Sequence, residues 1–132
     1  MILTDANVLM YAAGSDHPHK AAAVAFLSRV ASGHVEAAID AEVLQEVLHR
    51  YRALNRWSDA QRVYDLARDL FPDVLSITGA VMDEARRILA MDQTLTARDA
   101  VHAAVVIVYD LEGICSFDQD FDRIAGCPRV AL

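Results

Sequence analysis

Two aspartates stand at the ends of short apolar segments that are typical of strands. Asp5 ends the segment Ile2–Thr4, and Asp118 ends the segment Gly113–Phe117. A carboxylate at the end of a buried strand is costly to desolvate unless a metal, another cation or hydrogen-bond donors meet it. Both aspartates are therefore predicted to have a partner at the ends of their strands.

Two further acids fall in predicted helices that adjoin other strands. Glu46 lies in AEVLQEVLHRY, after the second predicted strand, and Asp99 opens TARDAVHAAVVIVYDL, which leads into the fourth. In open parallel sheets, ligands bind beyond the carboxyl ends of the strands. We therefore expect Asp5, Glu46, Asp99 and Asp118 to converge on one edge of a sheet.

A cluster of this kind indicates a particular chemistry. Neighbouring carboxylates raise one another's pKa, so they do not all stay ionised without a cation. Ligands made only of oxygen suit Mg²⁺ or Mn²⁺, whereas zinc normally recruits histidine or cysteine. Such ions generate hydroxide from water, orient a phosphodiester and stabilise the leaving oxygen. The four acids therefore predict a Mg²⁺ or Mn²⁺ site suited to phosphodiester hydrolysis.

Each acid also has an interpretation without a metal. Asp99 follows Thr96 with capping-box spacing and can simply serve the N-terminus of its helix. Asp118 lies in the turn-rich segment SFDQDFDR, where acids are common, and Glu46 can belong to a solvated helix face. Asp5 has no obvious capping role, so a metal-free interpretation is weakest there.

A calcium loop is excluded by spacing. Asp118, Asp120 and Asp122 imitate the first three ligands of an EF-hand, but Arg123 stands where glycine is needed and Arg129 where glutamate is needed.

Other residues with metal or thiol chemistry are interpreted as structural. His102 is predicted to be a hydrogen-bonded core histidine, and His17 and His19 are predicted to flank a helix start. Cys115 and Cys127 have neither zinc-site nor redox-motif spacing and are predicted to be reduced and packed.

Short strands alternating with helices predict an α/β fold with a central parallel sheet of four or five strands. The predicted strands are Ile2–Thr4, Val35–Ile39, Asp73–Thr78, Gly113–Phe117 and Arg129–Leu132. The first long predicted helix is His17–Ser32, with Val24, Leu27 and Ala31 on its apolar face and Phe26 and Val30 widening that face. The other predicted helices are a helix from Ala41 capped by Asp40, a helix from Ser58 with a capping box to Gln61, Gly79–Met91 and Thr96–Leu111.

Length and composition bound the class of protein. The 132 residues, 55% hydrophobic and 23% charged, predict one folded domain over residues 1–132. No apolar run reaches the length of a membrane span, and the first residues lack the features of a signal peptide, so a cytoplasmic protein is expected. The net charge of −7 argues against a large basic nucleic-acid surface. It remains compatible with a nucleic-acid enzyme whose acids are neutralised by metal.

With these residues assembled, the sequence resembles a PIN domain, and most closely the VapC-type toxins of bacterial toxin–antitoxin pairs. The segments that carry the resemblance are TDANVLMYA, AEVLQEVLHRY, ARDAVHAA and SFDQDFDRI, in order along essentially the whole chain. The resemblance implies a PIN-like three-layer α/β/α fold. It also implies endonucleolytic hydrolysis of RNA by two Mg²⁺ or Mn²⁺ ions, which leaves a 5′-phosphate and a 3′-hydroxyl.

Site residues and partners follow from the same resemblance. It implies that Asp5, Glu46, Asp99 and Asp118 are the catalytic and metal-binding acids, with Glu42 as a rival to Glu46. Candidates for supporting roles are Asn7, Ser116, Asp120 and Asp122, and candidates to meet RNA phosphates are Arg50, Arg52, Arg98 and Arg123. The implied partners are RNA, a second copy of the chain in a homodimer, and a cognate antitoxin protein.

Two alternatives to a ribonuclease stay open. One is a catalytically silent PIN-like binding module. The other is an aspartate-based phosphotransfer protein, which normally needs a lysine beside its carboxylates. Lys20, the only lysine, lies in the first long predicted helix and is badly placed for that role.

Overall fold

Short strands alternate with helices along the chain. The computed structural model describes residues 1–132. Its strands are β1 (Ile2–Thr4), β2 (Ala37–Asp40), β3 (Val74–Leu75), β4 (Gly113–Cys115) and β5 (Arg129–Val130). Its helices are α1 (Ala6–Ala13), α2 (Lys20–Ala31), α3 (Ala41–Ala53), α4 (Trp57–Leu70), α5 (Gly79–Met91) and α6 (Ala97–Val108), and a 3-10 helix spans Gln119–Arg123.

The five strands form one parallel sheet in the order β3-β2-β1-β4-β5. The chain first builds outward from β1 through β2 to β3, and then returns to add β4 on the other side of β1. The strand order therefore reverses between β1 and β4. A crevice at such a reversal, beyond the carboxyl ends of the strands, is where open α/β sheets bind ligands.

Helices cover both faces of the sheet, because successive side chains of each strand point to opposite faces. Ile39 and Cys115 pack with α1, α2, α3 and α4. Leu3 and Ile114 pack with α5 and α6 on the other face. The predicted α/β class and three-layer α/β/α arrangement with a parallel sheet are thus confirmed.

Helix α1 was not predicted as a helix. It begins directly after Asp5, which occupies the N-cap position in an extended conformation. Val8 and Leu9 of α1 are fully buried. The three-residue strand and the eight-residue helix form one nearly continuous apolar run, so periodicity alone did not separate them.

Helix α2 differs from its prediction in start and in buried face. It begins at Lys20 instead of His17 and buries Ala23 together with Phe26 and Leu27, which were both predicted on the apolar face. Val24, predicted to be on the apolar face, is 43% exposed. Because several apolar residues ring this helix, only its packing against neighbouring helices decides which of them face the core.

The capping box predicted at Ser58 is wrong. Helix α4 begins at Trp57 with Arg56 at the N-cap and no side-chain cap. Asp59 accepts hydrogen bonds of 2.6 Å from both Arg56 and Arg62. A carboxylate in the first turn favours the helix N-terminus, so the helix starts ahead of Ser58.

The remaining differences are mostly in strand length. The strands β3, β4 and β5 are shorter than predicted, and β2 is displaced toward Asp40. Cys115 and Cys127 are buried free thiols, which confirms their structural interpretation. None of the helices has both the length and the apolar character needed to cross a bilayer.

Candidate active site at the carboxyl edge of the sheet

Asp5 is the most deeply buried of the predicted site acids, with 5% of its surface exposed. The Ser116 hydroxyl donates a 2.6 Å hydrogen bond to Asp5 Oδ2. Ser116 Oγ in turn accepts hydrogen bonds from Asn7 Nδ2 at 3.1 Å and from the Asp118 backbone N–H at 3.0 Å. Ser116 thus ties Asp5, beyond β1, to the segment that follows β4.

Glu46 lies beside Asp5. One ligand atom each from Asp5, Glu46 and His102 falls within 4.8 Å of the other two. Glu42, the rival for this position, lies outside that group and is more exposed, at 26% against 12% for the Glu46 side chain. The geometry therefore favours Glu46 over Glu42.

Asp99 and Asp118 form a second group with Asp120, again within 4.8 Å. Thr96 Oγ accepts a hydrogen bond from the Asp99 backbone N–H at 3.2 Å, which places Asp99 in the first turn of α6. Asp118 lies three residues after the end of β4 at Cys115, instead of directly after the strand as predicted. It caps the 3-10 helix by accepting from the Asp120 backbone N–H at 2.9 Å.

Asp122 is directed to a different partner. Its two carboxylate oxygens each accept a 2.9 Å hydrogen bond from Arg129. Of the two aspartates named for a supporting role, the structure brings only Asp120 to the acidic groups.

The electrostatics of the site disfavour ionised acids in the absence of a cation. Burial raises the pKa of Asp5, and the Glu46 charge adds to this effect. Burial, together with the charges of Asp118 and Asp5, raises the pKa of Asp99 to about 6. Because Asp5 acts on Asp99, the two acidic groups adjoin and form one site.

A buried pair, His102 and Asp40, lies beneath Asp5 and Glu46. His102 Nδ1 is 2.7 Å from Asp40 Oδ2, and both side chains are 0% exposed. His102 is therefore the hydrogen-bonded core histidine that was predicted. Sequence reasoning missed that the ring also faces the site, since Nε2 lies 3.9 Å from Asp5 Oδ1 and from Glu46 Oε1.

The charges around His102 outweigh its burial. Burial alone lowers the pKa of a histidine, but the Asp40 carboxylate, with Glu46 and Asp5, raises the pKa of His102 well above its usual value. The neighbouring carboxylates therefore stabilise the protonated form of the ring, whose positive charge offsets part of theirs. The available sequence signal was the one-turn spacing from Asp99 to His102, which puts both residues on one helix face.

The candidate RNA-binding arginines differ in their surroundings. Arg98 Nε lies 3.2 Å from Glu46 Oε1, at the edge of the site. Arg123 donates to Asp120, Asp92 and Thr94, so its guanidinium is held over the second acidic group. The candidates on α3 show no contact with the acids: Arg52 stacks on Trp57, and Arg50 lines a groove with Tyr51 and Arg56.

The donor set fits divalent cations. Five carboxylates and one imidazole nitrogen converge at the edge where the strand order reverses. An ion of opposite charge stabilises the ionised form of clustered carboxylates, among them Asp5 and Asp99, whose pKa values are raised. The only lysine does not supply that charge, because Lys20 Nζ donates to the Gly14 carbonyl oxygen.

The chain is similar to a family model and to named ribonucleases over nearly its whole length. The PIN domain family model matches residues 2–126. The VapC ribonuclease Mb1869c of Mycobacterium bovis is 42% identical over 131 residues, which cover 99% of this chain and 100% of that protein. Ribonuclease VapC13 of Mycobacterium tuberculosis matches with the same identity and coverage.

A solved structure is similar in fold. The crystal structure of VapBC2 from Rickettsia felis bound to a DNA fragment from their promoter superposes with a TM-score of 0.78 over 98% of each chain, at 16% sequence identity.

Proposed function

The chain belongs to the PIN-domain family, and from this premise we propose that it is a divalent-metal-dependent endoribonuclease and the toxin of a toxin–antitoxin pair. The observation that carries the proposal is the convergence of Asp5, Glu46, Asp99 and Asp118 at the reversal of strand order. The proteins that are 42% identical over their full length carry the name ribonuclease.

We assign one metal ion to each of the two acidic groups. Asp5 and Glu46 would hold one ion, and Asp99 and Asp118 would hold the other, with Asp120 beside them. When bound, Mg²⁺ or Mn²⁺ would lower the pKa of the attacking water and neutralise charge on the phosphodiester.

The chain's own residues position these ligands. Ser116 donates to Asp5 Oδ2, which leaves Asp5 Oδ1 free for an ion, and Asn7 fixes the Ser116 hydroxyl in that role. Arg98 lies at the edge of the site beside Glu46, where its guanidinium would be placed to bind an RNA phosphate. Attack of water on phosphorus with cleavage of the P–O3′ bond then yields a 5′-phosphate and a 3′-hydroxyl.

An antitoxin and a second copy of the chain are the proposed protein partners. The negative charge of the acidic site can attract a basic side chain of an antitoxin as well as a metal ion. We therefore expect the antitoxin to compete with metal for the site. The Rickettsia felis structure supports the antitoxin only through its similar fold. Light scattering of the purified chain tests the homodimer, for which twice the mass of one chain is expected.

Cleavage of total cellular RNA by the purified protein is the first test. Cuts are expected with Mg²⁺ or Mn²⁺ and not with EDTA, and their ends should be 5′-phosphates. Asp5→Asn removes one ligand charge while keeping the shape of the side chain. Loss of a group that only supports a metal ligand costs about 10- to 100-fold, so loss of a direct ligand should lower cleavage by at least about 100-fold. The matched control is Asp65→Asn, an exposed aspartate of α4, which should cleave like the unmodified chain.

Three results would contradict the proposal. Equal cleavage by Asp5→Asn and Asp65→Asn would place the active site elsewhere or indicate a contaminating nuclease. Binding of Mn²⁺ without cleavage of any cellular RNA would favour a silent binding module. Stable labelling of Asp5 by acetyl phosphate would instead favour a phosphotransfer protein.

A further inference from the structure

We propose that His102 is itself a metal ligand, whose Nε2 binds the ion held by Asp5 and Glu46, and that Asp40 orients the ring for this role. This inference rests on the proposed metal-dependent function and deepens it. It makes the first of the two metal positions a mixed nitrogen and oxygen site. Such a site selects a first-row transition ion such as Mn²⁺ over Mg²⁺.

His102 has a polar atom that the fold leaves without a partner. The residue is completely buried, and Nε2 makes no hydrogen bond. A buried polar atom without a partner destabilises the fold, so its retention calls for a ligand. Nε2 faces the space between Asp5 and Glu46. The cationic groups beside these two acids are the ring of His102 and, next to Glu46, the guanidinium of Arg98.

The distances suit an ion better than direct contact. Nε2 is 3.9 Å from Asp5 Oδ1 and 3.9 Å from Glu46 Oε1. Hydrogen bonds between nitrogen and oxygen extend to about 3.2 Å, so neither separation is a hydrogen bond. Two ligands that each lie about 2.1 Å from one ion can be separated by up to about 4.2 Å. Both pairs fall between these limits.

Asp40 determines which ring nitrogen is available. Its Oδ2 lies 2.7 Å from His102 Nδ1, and its Oδ1 accepts a 2.9 Å hydrogen bond from the Val43 backbone N–H. The carboxylate is therefore fixed by the N-terminus of α3, and Nδ1–H donates to it. A carboxylate behind a histidine in this way fixes the tautomer and raises the basicity of the nitrogen that binds the metal.

The competing explanation is that His102 acts only as a cation. In the metal-free chain the ring would carry a proton on Nε2 and neutralise Asp5 and Glu46. A metal-binding histidine must lose that proton, whereas a purely electrostatic one would keep it and stay unbound. The two explanations differ in whether nitrogen touches the ion, which spectroscopy measures directly.

The experiment loads the full chain with Mn²⁺ alone and records electron spin echo envelope modulation. We expect nitrogen hyperfine coupling that changes from the ¹⁴N to the ¹⁵N pattern when the protein is grown with ¹⁵N-histidine. The coupling should be absent in His102→Gln and retained in the matched control His49→Gln, an exposed residue of α3.

Calorimetric titration gives a second readout, the ratio of Mn²⁺ affinity to Mg²⁺ affinity. Loss of a nitrogen ligand should lower this ratio by about 10-fold in His102→Gln, because Mg²⁺ prefers oxygen ligands and loses less. Asp40→Asn keeps the size of the side chain and should weaken Mn²⁺ binding by about 10- to 100-fold. It also serves as the test if His102→Gln does not fold.

The outcomes separate this inference from the proposed function. Mn²⁺ binding without nitrogen coupling, or an equal loss of Mn²⁺ and Mg²⁺ affinity in the variants, would overturn the role of His102 and leave the ribonuclease intact. Failure of the unmodified chain to bind Mn²⁺ at all would overturn both. Nitrogen coupling that depends on His102 in a chain that cleaves no RNA would support the metal ligand and contradict the nuclease.

Discussion

At the scale of single residues, the hydroxyl of Ser116 holds Asp5 in position within the acidic site. Its hydroxyl donates to Asp5 and accepts from Asn7 and from the Asp118 backbone. Hydrogen bonding to an ionised carboxylate lowers its pKa, so Ser116 partly offsets the effect of burial on the pKa of Asp5.

Ser116→Ala should therefore impair metal binding more than stability. With the donor removed, the pKa of Asp5 rises further, and Mn²⁺ affinity should fall by about 10-fold, as is usual for groups that orient a metal ligand. Calorimetric titration with Mn²⁺ measures this change. Ser28→Ala, in an exposed position of α2, is the control. Equal Mn²⁺ affinities in the two variants would mean that Ser116 does not support the site.

At the scale of elements, the N-terminus of α6 positions Asp99. Thr96 caps α6 through a 3.2 Å hydrogen bond from the Asp99 backbone N–H, and Thr78 caps α5 through a 3.2 Å hydrogen bond from Val81. Loss of either cap should lower the free energy of unfolding by about 1 kcal/mol. Only Thr96→Ala should also weaken Mn²⁺ binding, by about 10-fold.

Chemical denaturation and Mn²⁺ titration of the two threonine variants check this prediction. Thr78→Ala is the matched control because it removes an equivalent cap far from the acids in sequence. A similar loss of metal affinity in both variants would indicate a general effect of helix fraying, and not a local effect on Asp99.

The strand β4 has a requirement for glycine at its first residue. A Cβ atom at Gly113 would lie 2.3 Å from the Pro128 carbonyl oxygen, which accepts a hydrogen bond from the Ile114 N–H. Gly113→Ala therefore must push β5 away and should cost about 1–3 kcal/mol of unfolding free energy. The control Gly79→Ala, at the start of α5 with open space around its Cβ, should cost nothing. Denaturant midpoints compare the two variants.

At the scale of the whole molecule, the acidic site couples stability to pH and metal. The folded pKa values of Asp5 and Asp99 are raised, the latter to about 6, so the folded chain binds more protons than the unfolded chain above the ordinary carboxyl range. The folded pKa of His102 is also raised, so its contribution is complete below about 6.5 and is lost as pH rises through the folded value. Both effects make the metal-free protein less stable as pH rises.

In EDTA, the midpoint temperature of thermal unfolding should therefore decrease as the pH is raised from 5 to 8. Mn²⁺ should raise the midpoint most at pH 8, because deprotonated ligands bind metal best. Asp99→Asn should flatten the dependence in EDTA around pH 6. Acids with lowered pKa values make the protein more stable as pH rises, but only at lower pH, below their ordinary range. These acids are Asp59, Glu84, Asp92 and Asp122. A midpoint in EDTA that rises with pH over this interval would contradict the argument.

The sequence by itself determined the order of the strands and of every helix except α1, the parallel sheet and the four acids expected at its carboxyl edge. These features follow from local patterns, since alternation of apolar segments and the position of an acid after a strand can be read within a few residues. The same patterns misplaced the start of α4 and the buried face of α2. Several local solutions existed there, and packing selected among them.

Only the tertiary structure decided how the acids are grouped and what faces them. Glu46 and not Glu42 joins Asp5, and Asp120 and not Asp122 joins Asp99 and Asp118. His102 meets Asp40 across 62 positions of sequence separation and turns Nε2 toward the acids. No local pattern encodes such contacts, because they arise when α3, α6 and β1 are packed around the same edge of the sheet.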